Sequence, residues 1–179
     1  MKTIAKRLTK SIVIFCILFM AIGAICIFAG LRINTTKSIP FGFYWITNTP
    51  IEKGAYVIFC PPKNSIFDEA KKRGYISVGF CQGNYGYMMK RVAAVKGDIV
   101  SISSEGVCVN GKLLPVSKPF IADAAGRPMF RHAPSVFTLG TSELLLMSDV
   151  SAVSFDSRYF GPINRSQIIG VIRPVWTWL

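Results

Sequence analysis

The sequence predicts a mainly β protein that follows one N-terminal transmembrane helix. The first observation is an uncharged, largely apolar block from Ser11 to Leu31. The second is the remainder of the chain, in which short strand-like runs alternate with turns that contain glycine, proline or asparagine. A chain of 179 residues has room for such an anchor and for one small domain with its own core.

The apolar block is long enough to cross a bilayer, since a rise of about 1.5 Å per helical residue makes it roughly 30 Å long. The basic residues that precede it, with no acidic residue among them, are Lys2, Lys6, Arg7 and Lys10. The positive-inside bias therefore places the N-terminus in the cytoplasm. We predict a cytoplasmic segment at 1–10, an anchor at 11–31 and an extracytoplasmic domain at 32–179.

A cleaved secretory signal is the alternative for the same block, because it also combines a basic start with an apolar core. The block is longer than the apolar core of about 7–15 residues that is usual in such signals. The residues that follow it, Arg32, Ile33 and Asn34, form no small-x-small cleavage site. An uncleaved anchor is therefore the preferred interpretation.

Six runs outside the anchor have the composition of strands. They are Ala55–Cys60, Tyr87–Val95, Ile99–Ser103, Val107–Val109, Glu143–Met147 and Ile168–Val171. Two turn signals, Lys96-Gly97-Asp98 and Asn110-Gly111, predict hairpins. A short helix is predicted where Ser65 forms a capping-box pattern with Asp68, and Gly74 is its stop signal. Residues 115–134 are predicted to be an irregular excursion from the sheet.

The net charge of +12 raises the question of nucleic-acid binding. Four of these charges belong to the N-terminal topology signal, and the others are scattered without a basic stripe. We therefore expect no nucleic-acid partner, and a basic exterior that faces anionic membrane lipid. His132 is the only histidine and no Cys-x-x-Cys pair occurs, so no metal and no other cofactor is expected. A histidine-dependent catalytic triad would have to use His132.

The cysteines divide by their location in the sequence. Cys16 and Cys26 lie within the apolar block, whereas Cys60, Cys81 and Cys108 follow it. The extracytoplasmic domain would lie in an oxidising compartment, where a Cys60–Cys81 disulfide is plausible. The third thiol leaves the pairing open.

Two segments contain residues that could act as nucleophile and base. The first begins at Ser38, where Pro40 favours an extended residue before it and Gly42 permits a close backbone approach. The second places two cations, Lys90 and Arg91, side by side in a predicted strand, so that they point to opposite faces. Taken alone, Ser38 could be an ordinary turn residue, and both cations could extend to solvent.

A third segment runs from Ser154 to Pro162 and places an acid, a base and hydroxyl groups among aromatic residues. Asp156 and Arg158 lie within it. They could form a polar network that serves a functional site, or an ion pair with a purely structural role. Local sequence leaves both interpretations open.

Together, the three segments resemble the ordered sequence boxes of type I signal peptidases. Ser-x-Pro beyond an N-terminal anchor, Lys-Arg-Val followed by Gly-Asp-x-Val, and Ser-x-Asp-Ser-Arg-x-x-Gly near the C-terminus match that order. The resemblance implies a compact signal-peptidase-like β catalytic domain and a serine endopeptidase with a Ser-Lys dyad. It makes Ser38 the nucleophile and Lys90, rather than Arg91, the general base.

Supporting roles follow from the same resemblance. Ser154 is at the position of a serine that hydrogen-bonds and orients the lysine. Asp156 and Arg158 are at the family's acidic and basic positions. Thr36, two residues before the nucleophile, would contribute its hydroxyl to the oxyanion hole.

Within the family, the short length and the forms Ser-Ile-Pro-x-Gly-x-Tyr and Ser-Phe-Asp-Ser-Arg-Tyr-Phe-Gly-Pro look most like the conjugative-transfer signal peptidases, which process pilin precursors. This implies a single-pass protein of the inner (cytoplasmic) membrane with a periplasmic catalytic domain and an exported, pilin-like precursor as substrate. A non-catalytic, membrane-anchored pilus assembly factor of the same fold is the alternative. Ser148-Asp149-Val150 replaces the Gly-Asp-Asn of the broader family, which leaves the contacts of Asp149 open.

The chemistry sets one requirement on Lys90 and one on Asp156. An ordinary lysine has a pKa near 10.4 and is almost entirely charged at pH 7, so a lysine base needs a pKa that is lower by about 2–3 units. Burial among the apolar neighbours in its strand would lower it. A carboxylate in contact with the amine would raise it, so Asp156 is predicted to pair with Arg158 or with a backbone donor.

Overall fold

The N-terminal part of the chain is one long apolar helix. The computed structural model describes residues 2–130 and 135–178, and helix α1 spans Lys2–Phe28. By length and composition, its segment Thr9–Phe28 is able to cross a membrane. The predicted anchor extends to Leu31, whereas the helix ends three residues earlier, because a two-residue turn precedes a strand that starts at Leu31.

The compact unit Ile33–Leu179 is built mainly from strands. The strands are β1 (Leu31–Asn34), β2 (Phe41–Thr47), β3 (Tyr56–Phe59), β4 (Val78–Cys81), β5 (Met88–Ala94), β6 (Ile99–Ile102), β7 (Val107–Val109), β8 (Lys112–Leu113), β9 (Val136–Thr138), β10 (Glu143–Met147), β11 (Ile163–Asn164) and β12 (Ile168–Trp178). The helices are α2 (Ser65–Lys72), α3 (Ser157–Phe160) and a 3-10 turn at Arg165–Gln167. The predicted fold class, mainly β behind an N-terminal apolar helix, is confirmed.

Eleven of the twelve described strands form two sheets, and β4 makes only isolated bridges to Tyr85. A seven-stranded sheet has the order β1-β2-β12-β3-β5-β10-β11, and a four-stranded sheet has the order β8-β7-β6-β9. The chain passes from the larger to the smaller sheet between β5 and β6 and returns between β9 and β10. The central strands β3 and β5 pair antiparallel, with Val57 opposite Lys90, which places the predicted base in the middle of the larger sheet.

Five of the six predicted strands have ends within one residue of the prediction. The sixth, β12, continues to Trp178 because it pairs along β2, a strand that the sequence analysis missed. The pairing runs from Val171 opposite Thr47 to Trp178 opposite Phe41. Pro174 is accommodated because the register shifts between it and Trp176, as is usual for a proline within a sheet.

The two predicted hairpin turns have different outcomes. Asn110 and Gly111 join β7 to β8 and have positive φ angles of 53° and 79°, as a tight hairpin turn requires. The prediction for residues 96–98 is wrong, because β5 and β6 belong to different sheets. That turn carries the chain between the sheets, and the Asp98 carboxylate stabilises it by accepting hydrogen bonds from the Val95 N–H and the Asn110 side chain.

Helix α2 is present, but its predicted capping box is wrong. The N-cap is Asn64, whose Oδ1 accepts from the backbone N–H groups of Ile66 and Phe67 at 3.1 Å each. An asparagine just before the helix satisfies these otherwise unpaired donors directly. Asp68 accepts from the Tyr85 hydroxyl at 2.7 Å instead.

The predicted excursion at 115–134 is irregular through residue 130, apart from a bridge between Ala122 and Pro128. Residues 131–134, which include His132, lie outside the described part of the chain.

A disulfide joins Cys60, at the end of β3, to Cys81 in β4. It closes a segment that contains helix α2, and it settles the pairing that the sequence left open. Cys108 is a free cysteine.

We expect the double substitution Cys60→Ser and Cys81→Ser to lower the free energy of unfolding by about 3 kcal/mol. The disulfide restricts the unfolded chain, and a closed loop of this size accounts for an effect of that order. Urea unfolding of the full chain in detergent, without reductant, measures the difference. Cys108→Ser is the matched control, and its stability should differ by less than about 1 kcal/mol. Equal stability of the double variant and the wild type would contradict the expectation.

Candidate active site

The loop that carries Ser38 lies between β1 and β2 and is held by Asn34. The side chain of Asn34 is buried, and its Nδ2 donates to the backbone carbonyls of Thr36, Ile39 and Pro40 at 2.8, 2.8 and 3.0 Å. Its Oδ1 accepts from the Thr36 backbone N–H at 3.2 Å. These bonds fix the backbone on both sides of Ser38.

Packing against buried apolar residues also fixes the loop that carries Ser38. Ile39 is completely buried and packs in a cluster with Tyr44, Ile58 and Met89. The Tyr44 hydroxyl donates to the Pro40 carbonyl at 2.7 Å. The nucleophile candidate therefore lies in a loop that is anchored by hydrogen bonds and by the core.

Gly42 permits the close approach that the sequence analysis expected. Its φ is +147°, and a Cβ at this position would lie 2.2 Å from the Trp176 carbonyl oxygen of β12. Any larger residue would push β2 away from β12 just after the Ser38 loop.

The structure brings Ser38 and Lys90 together. Lys90, on β5, is only 1% exposed, and its Nζ donates to Ser38 Oγ at 2.7 Å. The neighbouring Arg91 points to the opposite face, and its side chain is 47% exposed. The alternative in which both cations extend to solvent is therefore excluded, and Lys90 is the cation beside the serine.

Burial lowers the pKa of Lys90 from its ordinary value of 10.5 to about 8. The carboxylate of Asp156 opposes this effect, and the guanidinium of Arg158 adds to it. The two are themselves a pair, so their fields on the amine largely offset each other. Desolvation is thus the main cause of the lowered pKa.

Asp156 pairs with Arg158, as the chemistry of the lysine required. Both side chains are fully buried, with Arg158 Nε 2.7 Å from Asp156 Oδ1 and Nη2 2.8 Å from Oδ2. Asp156 also accepts from the Ser148 backbone N–H at 3.1 Å. Arg158 Nη1 donates to the carbonyls of Val116, Lys118 and Ala152. The pair thus holds three loops around α3.

The hydrogen bond predicted between Ser154 and Lys90 is absent from the structure. Ser154 Oγ is buried and has no hydrogen-bond partner among the residues that the structure describes. The residue lines one cavity beside Ser38, while Lys90 lines another. The backbone N–H of Ser154 bonds to the Ser151 carbonyl, which holds the residue in a turn on the first cavity's wall.

Thr36 lies near the nucleophile, but its hydroxyl is engaged elsewhere. Thr36 Oγ1 donates to Asn34 Oδ1 at 2.9 Å, and the residue is exposed. A hydroxyl has one proton, so in this arrangement it is not available to an oxyanion. The predicted oxyanion-hole role requires the Thr36 side chain to rotate away from Asn34.

Asn34 was not predicted to be a site residue, and from the sequence it was only one of the residues that follow the anchor. An asparagine four residues before a candidate nucleophile gives little signal, because such residues are common in turns. In the structure its side chain hydrogen-bonds to three backbone carbonyls of the Ser38 loop.

We expect Asn34→Ala to lower kcat by roughly 10- to 100-fold, with KM changed by less than about threefold, because a misplaced nucleophile affects the reaction more than substrate binding. Asn34→Asp keeps the acceptor oxygen but not the Nδ2 donors, and should not restore the rate. Initial rates of precursor cleavage by the full chain in detergent give both constants. The exposed Asn48→Ala is the matched control. A loss confined to KM would show that Asn34 does not position the nucleophile.

Asp149 has partners despite the departure from the family pattern. It accepts from the Tyr56 hydroxyl at 2.7 Å and from Arg91 Nη1 at 3.3 Å. Burial, and the Asp149 charge, raise the pKa of Tyr44 to about 12. Burial, and the hydrogen bond to Asp149, raise the pKa of Tyr56. Both hydroxyls therefore remain donors, and that of Tyr44 keeps its bond to the Ser38 loop.

Two cavities meet at Ser38. The first has a volume of about 660 Å³ and the second about 510 Å³. Ser38, Tyr75 and Phe155 line both. Lys90 and Thr36 line the second cavity. In the described part of the chain, no cluster of histidine, cysteine and acidic residues could hold a metal ion.

A serine hydroxyl that contacts a buried amine of lowered pKa is the arrangement of nucleophile and base found in serine hydrolases of the serine–lysine class. The chain belongs to the signal peptidase family, peptidase S26, whose sequence profile matches residues 5–178. The resemblance to signal peptidases seen in the three sequence boxes is confirmed.

Two of three similar proteins align over most of the chain, and the third aligns over about half of it. The plasmid transfer protein TraF of Escherichia coli is 60% identical over 178 residues, which are 99% of this chain and 100% of that protein. The conjugal transfer protein TraF of Agrobacterium fabrum is 36% identical over 151 residues, 83% of this chain and 84% of the relative. Signal peptidase I V of Bacillus subtilis is 33% identical over 94 residues, 48% of this chain and 55% of the relative.

Proposed function

We propose that this chain is a membrane-anchored serine endopeptidase that cleaves exported precursor proteins with Ser38 and Lys90. The observation that carries the proposal is the 2.7 Å contact between Lys90 Nζ and Ser38 Oγ in a site where the lysine is buried. A neutral Lys90 takes the proton of Ser38 as Oγ attacks the scissile carbonyl. The ammonium that results protonates the leaving amine, which leaves an acyl-enzyme on Ser38.

The other site residues have supporting roles in this proposal. Asp156 and Arg158 offset each other's charge and hold the loops around α3, so that burial determines the pKa of Lys90. The backbone N–H of Ser38 and the Thr36 hydroxyl bind the oxyanion once Thr36 turns away from Asn34. Ser154 Oγ, which has no partner in the described part of the chain, is a donor on the wall of the first cavity.

The proposed location is the inner membrane, with the N-terminus in the cytoplasm and the catalytic domain in the periplasm. Helix α1 is long and apolar enough to act as the single-pass anchor. The Cys60–Cys81 disulfide supports an oxidising compartment for the domain. The anchor also makes membrane lipid a partner.

The proposed substrate is a pilin-like precursor of a conjugative transfer system. The names of two relatives, plasmid transfer protein and conjugal transfer protein, support this class, since they align over most of both chains. An exported precursor inserted in the same membrane would reach an anchored peptidase without diffusing through bulk solvent. No nucleic-acid partner is part of the proposal.

Incubation of the purified full chain in liposomes with a pilin precursor tests the proposal, with product masses read by mass spectrometry. The wild type should release one defined fragment, and Ser38→Ala should release none. A precursor that the wild type binds but leaves uncut would favour the pilus assembly factor instead. The masses also show whether water or a substrate amine resolves the acyl-enzyme.

A further inference from the structure

The first cavity beside Ser38 is walled by a segment that no sequence box contains. We call residues 118–130, which lead from the region after β8 towards β9, the strap. Five strap residues line the cavity: Phe120, Ala122, Asp123, Ala124 and Met129. Val153, Phe155 and Tyr159, which lie in or just before α3, also line it. The cavity is therefore a product of the strap and the α3 region together.

Several hydrogen bonds hold the strap in place. The backbone N–H of Phe120 donates to the Tyr159 hydroxyl at 3.0 Å, and the Tyr75 hydroxyl donates to Asp123. Arg73 Nη1 donates to the Pro128 carbonyl at 2.7 Å. The strap begins at Lys118, whose carbonyl accepts from Arg158. The cavity is thus formed before any ligand binds.

The lining is largely apolar, and its charged members are the exposed Lys37 and the carboxylate of Asp123. The carboxylate of Asp123 accepts from Tyr75, from the Arg127 guanidinium at 2.7 Å and from the backbone N–H groups of Ala125 and Arg127. Its charge is therefore paired and its acceptor sites are occupied. Val153 remains 74% exposed at the cavity wall. A volume of about 660 Å³ lies within the range of about 300–1,000 Å³ that ligand pockets have.

The position of Ser38 indicates what occupies this cavity. A bound peptide extends from its scissile carbonyl in both chain directions. Ser38, which would attack that carbonyl, lines both cavities. Lys90 lines the second cavity, and we expect one half of the peptide to place its side chains in the first. Ser154 Oγ, which is buried on the wall of the first cavity and has no hydrogen-bond partner among the described residues, can bond to the peptide backbone there.

We propose that the strap cavity binds a large apolar side chain of the precursor within four residues of the scissile bond, on one side of it. This rests on the proposed function and names a feature of its substrate. The precursor class is then restricted to sequences with a leucine-, methionine- or phenylalanine-sized residue at that position. Glycine or a charged residue there should bind poorly.

Peptide binding to Ser38→Ala protein tests this without catalysis. Peptides that span the precursor cleavage site carry leucine, glycine or aspartate at each of the four positions on either side, and affinity is measured by fluorescence anisotropy. One position should show at least about tenfold tighter binding for leucine than for glycine or aspartate. Equal affinities at every position would overturn the proposal. Cleavage of the leucine peptides by the wild type separately tests the proposed function.

Ala122→Phe fills the cavity in the Ser38→Ala background. It should weaken binding of the leucine peptide by about tenfold or more and leave the glycine peptide within about threefold. Ala125→Phe, in the exposed part of the same strap, is the matched control. If Ala122→Phe fails to fold, Val153→Asp with Val150→Asp as control replaces it, because Val153 lines the cavity and Val150 does not. Equal loss for both peptides would overturn the proposal.

Discussion

Lys90→Met is expected to lower the rate of precursor processing by about 10³-fold or more. The substitution keeps a long, unbranched side chain in the buried site and removes the amine that contacts Ser38 at 2.7 Å. Without a base, the serine hydroxyl must lose its proton to water, and general-base catalysis of this kind contributes about 10²- to 10⁴-fold. Ser38→Ala should lower the rate at least as far, because no nucleophile remains.

Arg91→Met is the matched control for Lys90→Met. It removes the adjacent cation from the same strand, but from the face that is half exposed. Its rate should stay within about threefold of the wild type. Rates are measured on the full chain in liposomes, with circular dichroism to show that each variant is folded. Retained processing in folded Lys90→Met, or a loss only in Arg91→Met, would refute the role of Lys90.

Processing should also depend steeply on pH. Because burial lowers the pKa of Lys90 to about 8, the amine is mostly charged below this pH and mostly neutral above it. The base is the neutral form, so kcat/KM should rise about tenfold per pH unit up to pH 8 and level off above it. At pH 6 it should be about 100-fold below the plateau.

A peptide substrate without groups that titrate between pH 6 and 9 is needed to measure this profile. Thermal unfolding of the wild type over the same range is the control, since it shows whether the protein stays folded at the acid end. A profile that is flat from pH 6 to 9, or one that falls as the pH rises, would argue against a lysine base. A midpoint near 10.5 would mean that the amine is solvated during the reaction.

The contrast between Lys90 and Arg91 shows how far local sequence reasoning reaches. Strand alternation predicts that the two point to opposite faces, and the structure agrees. It does not predict which face is buried, because both have apolar neighbours. The order of the sequence boxes selected Lys90, and the reason for its burial is the position of β5 between β3 and β10.

The residues that sequence reasoning assigned least well are those whose roles depend on non-local contacts. Asn34 is a common turn residue until its side chain meets three carbonyls of the Ser38 loop. Thr36 has the expected spacing, but its hydroxyl donates its hydrogen bond to Asn34 Oδ1. Strand β2 was not predicted, because its residues were interpreted as part of the segment that contains the nucleophile. Its pairing with β12 is visible only in the fold.

The burial of Lys90, which the proposed reaction needs, lowers the stability of the folded protein. Folding lowers the pKa of Lys90 from 10.5 to about 8, so the charged amine lowers the stability of the native state and the neutral amine does not. This loss of stability is absent above pH 10.5, grows as the pH falls to about 8 and stays in full below it. At 1.36 kcal/mol per unit, the native state at neutral pH is destabilised by about 3 kcal/mol. Selection for thermal stability alone should therefore favour apolar replacements at position 90. These would raise the stability of the protein and remove the proposed peptidase activity.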